Sequence, residues 1–218
     1  MGTITINRPH AMNALNTQVF ERLKEIALAV RHEEGVKVLI LSAAGDRAFS
    51  AGNDVKGGSF TSSKSGNTAR HLQIEAIEAL DAVPQPLIAA VNGVAYTGAL
   101  ELLLAADIIV SARRAVFCDT HAQLGLVPTW GLPVRLPMRV GLANAKIMSF
   151  TSKKYSAAEA ADIGLVDLLV DDEELVPTVR ALAESIAANS TDSVRKQKRM
   201  MDMAAKTTAR EALAWTGG

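Results

Sequence analysis

Cysteine is almost absent from this chain of 218 residues, in which Cys118 is the only one. A single thiol excludes an intrachain disulfide and is typical of a protein from a reducing compartment. The four histidines and the cysteine do not recur at the spacing of a zinc site. The sequence therefore predicts no metal centre.

An excess of charge of either sign is also missing, because 23 Lys and Arg residues balance 23 Asp and Glu residues. Without a basic excess, we expect neither nucleic acid nor a membrane surface as a partner. The longest apolar runs fall short of the roughly 20 residues that a membrane span requires. The first residues also lack the apolar core of a signal peptide. We therefore expect a cytoplasmic protein, or one of an organelle matrix if a targeting segment is missing from this chain.

Strand and helix patterns alternate along the chain. Short aliphatic runs predict strands at residues 3–6, 36–41, 87–91, 108–111 and 166–170. Between them, helical patterns follow the caps Asn16 and Ser156 and cover residues 68–82 and 98–106. This alternation predicts an α/β core with right-handed crossovers over residues 1–170. A helical region, possibly truncated, is predicted for residues 171–218, and its basic cluster at 195–199 is expected to be a solvated helix face.

Two Gly-containing loops that follow predicted strands are candidates for ligand binding. One runs from Arg47 to Asp54, and the other contains Gly98 at the start of a helix. In α/β sheets ligands bind at the carboxyl ends of strands, and unpaired N–H groups there favour negative charge. One backbone N–H from each loop can together hold a developing oxyanion. The alternative for the first loop is an ordinary surface loop.

A single carboxylate, Glu101, lies in a helix that is otherwise apolar all round, which predicts that the helix is buried. A buried carboxylate needs either a hydrogen-bonding partner or a chemical role. Glu101 is therefore a candidate catalytic residue. The alternative is a glutamate at the helix edge that accepts hydrogen bonds from first-turn N–H groups.

Four strings occur together in the order and spacing of one known family. They are NRPHAMNAL, AFSAGND, PLIAAVNGVAYTGALELLLAADI and AEAADIGLVD. With them the chain resembles the crotonase superfamily, the enoyl-CoA hydratases and isomerases, from Ile4 to about Lys198. The resemblance implies a crotonase-type ββα spiral core and an acyl-CoA thioester substrate. It implies no metal or redox cofactor, because the thioester itself acidifies the α-carbon and coenzyme A is part of the substrate.

The resemblance also assigns roles to residues. The backbone N–H groups of Asn53 and Gly98 would form the oxyanion hole, and Glu101 would be the first catalytic carboxylate. The residues implied to hold coenzyme A or the acyl group are His10, Ala11, Asn13, Ala14, Leu15, Asp54, Val55, Lys56 and Trp130. Lys56 can face a phosphate or be a solvated lysine. Trp130, with Pro128, can line the acyl pocket or belong to the ordinary core.

The chain departs from the family pattern at three points. Asn53 stands where a small residue is usual, and Thr97-Gly98-Ala99 keeps only the middle glycine of the usual run. His121 stands where hydratases have their second catalytic carboxylate. Imidazole can act as acid or base near neutral pH, so His121 is either catalytic or a structural histidine that holds the loop. Asp119 can orient His121 or act itself.

The reaction predicted from this set is the reversible hydration of trans-2-enoyl-CoA to 3-hydroxyacyl-CoA through an enolate. Two alternatives stay open: an enoyl-CoA double-bond isomerase, which needs only one base, and a catalytically weak acyl-CoA-binding or scaffold homologue. The resemblance further implies a homo-trimer or hexamer, and apolar positions within residues 186–203 support that expectation.

Overall fold

The computed structural model describes residues 1–54 and 66–206, so the predicted coenzyme A contacts Val55 and Lys56 lie outside the described residues. The helices are α1 Thr17–Val30, α2 Gly66–Asp81, α3 Gly98–Leu103, α4 Leu132–Thr151, α5 Ala157–Asp162, α6 Leu175–Ala187 and α7 Thr191–Lys206. The strands are β1 Gly2–Ile6, β2 Leu39–Ala43, β3 Ala48–Ser50, β4 Leu87–Val91, β5 Val94–Tyr96, β6 Ile108–Ala112, β7 Val116–Cys118, β8 Tyr155–Ser156 and β9 Leu168–Val170. Within the described part of the chain, no helix has the length and apolarity to cross a membrane.

The larger of two sheets is entirely parallel, with the strand order β1-β2-β4-β6-β9. Its central strand β4 is aliphatic throughout, and all five of its residues are buried. Such a strand suits a parallel sheet that is covered on both faces. Residues 36–41 were predicted as a strand, but β2 begins later, at Leu39, and continues to Ala43.

The smaller sheet has the order β3-β5-β7-β8, in which only the β7–β8 pair is antiparallel. Its strands β3, β5 and β7 directly follow β2, β4 and β6, so each repeat of the chain is strand, strand, helix. The predicted α/β fold is confirmed, with two sheets instead of the single row of strands visible in the sequence. The strands of the smaller sheet could not be recognised in the sequence, because three residues are too few to show the alternation of apolar and polar side chains.

Local signals at the helix ends were correct. The Asn16 side chain accepts the N–H of Val19 at 3.0 Å and caps α1. Ser156 and Glu159 form the predicted capping box of α5. These caps satisfy N–H groups that a helix leaves unpaired, which is why they can be recognised from neighbouring residues alone.

One long helix, α4, was not predicted from the sequence. Pro137 lies inside it, and Gly141, with φ 77°, forms a kink between its two halves. A proline or glycine inside a helix usually marks its end in sequence. Here the kinked helix persists because Leu132, Leu136 and Val140 are buried on one face of its first half.

The core forms two layers around the larger sheet. The main layer fills the space among the two sheets, α1, α2 and α3. On the opposite face of the larger sheet, α6 buries Leu175, Val179 and Ala183 against β2, β4 and β6. The division of the chain at residue 170 stays a prediction.

Helix α7 is tied to the larger sheet by its basic residues. The Lys198 side chain, 10% exposed, forms an ion pair with Asp107, next to β6. The Arg195 guanidinium donates to the carbonyl of Val36 at 3.2 Å. The prediction of a solvated face is therefore wrong for Lys198, because its carboxylate partner lies 91 residues away in the sequence.

Candidate active site

The turn between β5 and α3 has a strained residue immediately before Gly98. Thr97 has φ 53° and ψ −109°, a conformation that residues with a side chain rarely adopt. Its N–H donates to the carbonyl of Cys118 at 2.9 Å, and its hydroxyl is hydrogen-bonded to that of Thr120. These bonds hold the strained turn against the segment that follows β7, which carries Asp119 and His121.

The loop after β3 lies against that turn, and Gly52 makes the approach possible. Gly52 has φ 91°, and a Cβ built on it would lie 2.7 Å from the carbonyl oxygen of Tyr96. The same Cβ would lie 3.2 Å from the nitrogen of Gly98. Only glycine fits here, for conformation and for space. The two loops predicted to face one ligand are therefore in contact.

Neither of the two predicted oxyanion N–H groups is used by the hydrogen bonds of its own bridge or helix. Asn53 pairs with Leu15 in an isolated parallel bridge, whose hydrogen bonds use the carbonyl of Gly52 and the N–H of Asp54. In a parallel bridge of this kind, the N–H of Asn53 itself points away from Leu15. The N–H of Gly98 opens α3 and so has no partner within the helix. The oxyanion hole stays a prediction, which this geometry permits.

Glu101 is buried, with 1% exposure, and its partners come from another segment. Its Oε1 accepts the backbone N–H groups of Trp130 at 2.7 Å and Leu132 at 3.2 Å. The alternative of bonds to its own first-turn N–H groups is therefore not what the fold uses. Burial raises the pKa of Glu101, and the hydrogen bonds from Leu132 and Trp130 offset only part of this effect.

His121 lies between two carboxylates, and all three side chains are buried. Its Nδ1 is 2.6 Å from Oδ1 of Asp119, and its Nε2 is 3.6 Å from Oε2 of Glu101. Burial raises the pKa of Asp119, but hydrogen bonds from the side chain and backbone of His121 outweigh it, and the net pKa is lowered. In the tautomer with the proton on Nδ1, the imidazole would donate a hydrogen bond to Oδ1 of Asp119, and the Nε2 lone pair would lie on the side of Glu101.

The three predicted catalytic residues are thus brought together in one row, Asp119, His121, Glu101. The Nε2 to Oε2 distance of 3.6 Å is slightly longer than a hydrogen bond. Two polar atoms at this separation can both bind a single water molecule. Chemically, the pair can hold one proton and pass it between carboxylate and imidazole.

The raised pKa of Glu101 predicts how stability depends on pH. The folded protein holds the Glu101 proton more tightly than the unfolded chain, in which the carboxyl titrates near its ordinary value of 4.5. The stabilisation is fully present below pH 4.5 and is lost as the pH rises through the raised value. Compared with Glu101→Gln, the wild type should therefore lose about 1.4 kcal/mol of unfolding free energy per unit of pKa shift.

Urea unfolding of both proteins across this pH range measures the difference. Glu25→Gln, which changes an exposed glutamate of α1, controls for the loss of one charge. If the difference in unfolding free energy between the wild type and Glu101→Gln stays constant with pH, the result contradicts a raised pKa of Glu101.

The segment predicted to hold coenzyme A is a compact loop around the short 3-10 helix Pro9–Ala11, in which His10 is exposed. Asn13 is buried, and its side chain accepts the N–H of Arg8 and donates to the carbonyls of Ala44 and Ala48. It therefore shapes the loop. The side chains of Ala14 and Leu15 are also buried, which leaves the backbone as their means of contacting a ligand.

Arg8 is a residue of this region that the sequence analysis missed. Its guanidinium donates to Oδ2 of Asp54 at 2.9 Å and to the carbonyl of Ala14. Arg8 thereby joins the two segments predicted to hold coenzyme A. The string NRPHAMNAL contains it, but Asp54 lies 46 residues away, so the pairing could not be seen from local sequence.

Gln73 was missed as well, although its position gives a signal. It lies on the buried stripe of α2 with Ala76, Ile77 and Leu80, at helical spacing. A glutamine on an apolar stripe needs partners. Its Oε1 accepts the indole N–H of Trp130 at 3.1 Å, and its Nε2 is 3.5 Å from Oδ1 of Asn53.

An apolar pocket of about 400 Å³ opens beside His121 and Asp119. Pro128 lines it, together with residues of the loop before α4 and of α4 itself. Those residues include Leu126, Leu132, Leu136, Leu142, Ala145 and Phe150. Among residues 1–54 and 66–206, no group of three or more His, Cys, Asp or Glu side chains is arranged to hold a metal ion.

Comparison with known proteins identifies the family of this chain. Residues 1–216 match the family described as enoyl-CoA hydratase/isomerase. A crotonyl-CoA hydratase from Syntrophomonas wolfei is 36% identical over 91% of this chain and 76% of its own. A 1,2-epoxyphenylacetyl-CoA isomerase from Escherichia coli is 31% identical over 94% of this chain and 80% of its own.

The structure of an enoyl-CoA hydratase from Bacillus anthracis superposes with a TM-score of 0.94 and 32% identity, over 97% of this chain and 82% of that one. This superposition confirms the predicted crotonase-type fold. The relatives include both hydratases and isomerases, so the family alone leaves the reaction open. With its ββα repeats and its match over nearly the whole length, the chain belongs to the enoyl-CoA hydratase/isomerase family, the crotonases.

Proposed function

We propose that the chain hydrates trans-2-enoyl-CoA thioesters to 3-hydroxyacyl-CoA. The observation that carries the proposal is the buried pair of Glu101 and His121, with Nε2 and Oε2 3.6 Å apart and Asp119 behind the imidazole. Hydration needs two groups, one that directs water to Cβ and one that manages the proton at Cα. An imidazole held by an ionised carboxylate can replace the second carboxylate of other family members.

In the proposed reaction, the thioester oxygen accepts the N–H groups of Asn53 and Gly98. A water molecule bound between Glu101 and His121 adds to Cβ, and one of the two side chains takes a proton from it. The electron pair of the double bond moves to the thioester as an enolate, which the two N–H groups stabilise. The other member of the pair then donates a proton to Cα, so that water has been added in full.

Isomerisation is the second candidate, and one observation favours it. Oε1 of Glu101 already accepts two backbone N–H groups, which leaves Oε2 as the oxygen that can take a proton. A single base that moves a proton from one carbon to another is enough for a double-bond isomerase. In that case His121 serves to hold the loop and to orient Glu101.

The two candidates are separated by assaying the purified wild-type protein with crotonyl-CoA and with a 3-enoyl-CoA. We expect hydration of crotonyl-CoA, which is measured as the loss of the absorbance of its conjugated double bond. Conversion of 3-enoyl-CoA to 2-enoyl-CoA without hydration would support the isomerase instead. The absence of both activities, with acyl-CoA binding intact, would leave a binding or scaffold protein.

We also propose that the chain assembles into a homo-trimer or hexamer. Large apolar side chains lie exposed on α4 and the loop before it. They are Val127, Val134, Met138, Leu142, Ile147 and Phe150, between 51% and 77% exposed. Scattered exposed apolar residues are normal, but a concentration along one helix is typical of an interface.

Light scattering at micromolar concentration should therefore give the mass of three or six chains. Phe150→Glu, which places a charge on the apolar face of α4, should shift the mass toward one chain. Val176→Glu, on α6 and 71% exposed, is the matched control and should leave the mass unchanged. A wild-type monomer would contradict the proposed assembly.

A further inference from the structure

The indole of Trp130 fills the space that a side chain at position 98 would occupy. A Cβ built on Gly98 would lie 2.3 Å from Cζ3 and 2.8 Å from Cη2 of the Trp130 ring. The same residue donates its backbone N–H to the Glu101 carboxylate. Since Gly98 and Glu101 face the reacting atoms in the proposed reaction, an acyl group that extends from them on the side of Trp130 meets this indole.

The indole is held from several directions. Its Nε1–H donates to Gln73 at 3.1 Å, and its ring packs edge-on against Phe20 with 5.1 Å between centroids. The carbonyl of Trp130 accepts the Arg135 guanidinium at 2.9 Å. Gly131, with φ 112°, allows that approach, because a Cβ on it would lie 2.2 Å from Nη1 of Arg135. Trp130 is thus a fixed wall.

A groove of about 1210 Å³ lies on the far side of this wall. Trp130 itself lines the groove, together with charged side chains such as Glu78, Asp81 and Arg135 and with apolar side chains from α2, α4 and the segment after α3. The apolar ones are Ile74, Leu104, Ala105, Ala106, Val134 and Met138. Ala105 lies two residues beyond the end of α3, the helix that Gly98 begins. The indole therefore stands between Gly98 and a partly apolar groove whose volume would hold an acyl chain.

We infer that Trp130 sets the upper limit of acyl length, so that the chain acts on short-chain enoyl-CoA thioesters and excludes longer ones. The inference rests on the proposed acyl-CoA reaction and adds a substrate class to it. Gln73 is a positioning residue, because it acts by holding the indole. Without the indole, the acyl site would continue into the groove.

The test compares kcat/KM for crotonyl-CoA and trans-2-octenoyl-CoA. The wild type should prefer crotonyl-CoA. In Trp130→Ala the ratio of octenoyl to crotonyl activity should rise about tenfold or more, since small changes in an apolar pocket have effects of this order. Trp130→Phe and Gln73→Met, which keep most of the packing, should give smaller rises in the same direction. Val176→Ala, an exposed apolar truncation on α6, should leave the ratio unchanged.

Calorimetric binding of butyryl-CoA and octanoyl-CoA separates this inference from the proposed hydration, because neither thioester has a double bond to hydrate. Tighter binding of butyryl-CoA by the wild type, with this preference weakened in Trp130→Phe and weakened further in Trp130→Ala, supports the length limit even if no hydration is found. Equal or better binding or turnover of the longer thioesters by the wild type would overturn it. An unchanged ratio of octenoyl to crotonyl activity in every folded variant would also overturn it. If Trp130→Ala does not fold, the ratios of Trp130→Phe and Gln73→Met decide whether the inference holds.

Discussion

Glu101→Gln is expected to lower the rate of crotonyl-CoA hydration by about 10²–10⁴-fold, the usual contribution of a general acid or base. The change is structurally conservative. The glutamine oxygen can still accept the N–H groups of Trp130 and Leu132, and its amide can donate to Nε2 of His121. Only the exchangeable proton of the carboxyl is lost, and steady-state turnover measures its effect.

The binding of butyryl-CoA by Glu101→Gln is the internal control, and it should change little because the two backbone donors are unaltered. Glu25→Gln serves as the matched control for turnover and should keep the wild-type rate. A folded Glu101→Gln protein with unchanged turnover would remove Glu101 from the mechanism.

His121→Ala is expected to suppress hydration by about 10²-fold or more if the imidazole is the second proton-transfer group. It should leave isomerisation of 3-enoyl-CoA nearly intact if Glu101 is the only base. Measuring both reactions on one variant therefore distinguishes the two proposals. His121→Glu would place a second carboxylate opposite Glu101 and should retain or raise hydration.

The surface histidine His32, exposed after α1, supplies the control variant His32→Ala, which should behave as the wild type. Loss of Asp119 gives a further check, because Asp119→Asn keeps the size but cannot hold the Nδ1 proton as firmly. If hydration survives His121→Ala at the wild-type rate, His121 is structural. Asp119 or a bound water would then be the candidate for the second proton-transfer group.

Features that depend on neighbouring residues could be predicted from the sequence. The cap at Asn16 and the capping box at Ser156 are set by hydrogen bonds within one helical turn. The buried strand β4 could be predicted because it consists of five consecutive aliphatic residues. The proximity of the two glycine-containing loops could be predicted because Gly52 and Gly98 each follow a strand, and parallel strands bring their carboxyl ends to one edge.

Features that depend on distant residues could not be predicted in this way. The helix α4 is stable in spite of Pro137 and Gly141 because one face is buried by the rest of the fold, and local propensity points the other way. The sequence around Lys198 predicts a charged, solvated surface, but in the fold Lys198 forms an ion pair with Asp107. The strands of the smaller sheet have three or fewer residues, and pairing with their neighbours is what defines them.

The amino-acid sequence by itself determined the family, the α/β class and the residue types of the candidate site: a buried carboxylate, a histidine two residues after an aspartate, and two glycine-containing loops. Only the tertiary structure decided how these groups are arranged. It set the order Asp119, His121, Glu101, paired Gln73 with Trp130, and placed the indole against Gly98. The physical reason is the separation of the interacting residues along the sequence. Helix caps and hydrophobic periodicity depend on residues a few positions apart, whereas these contacts join segments that only folding brings together.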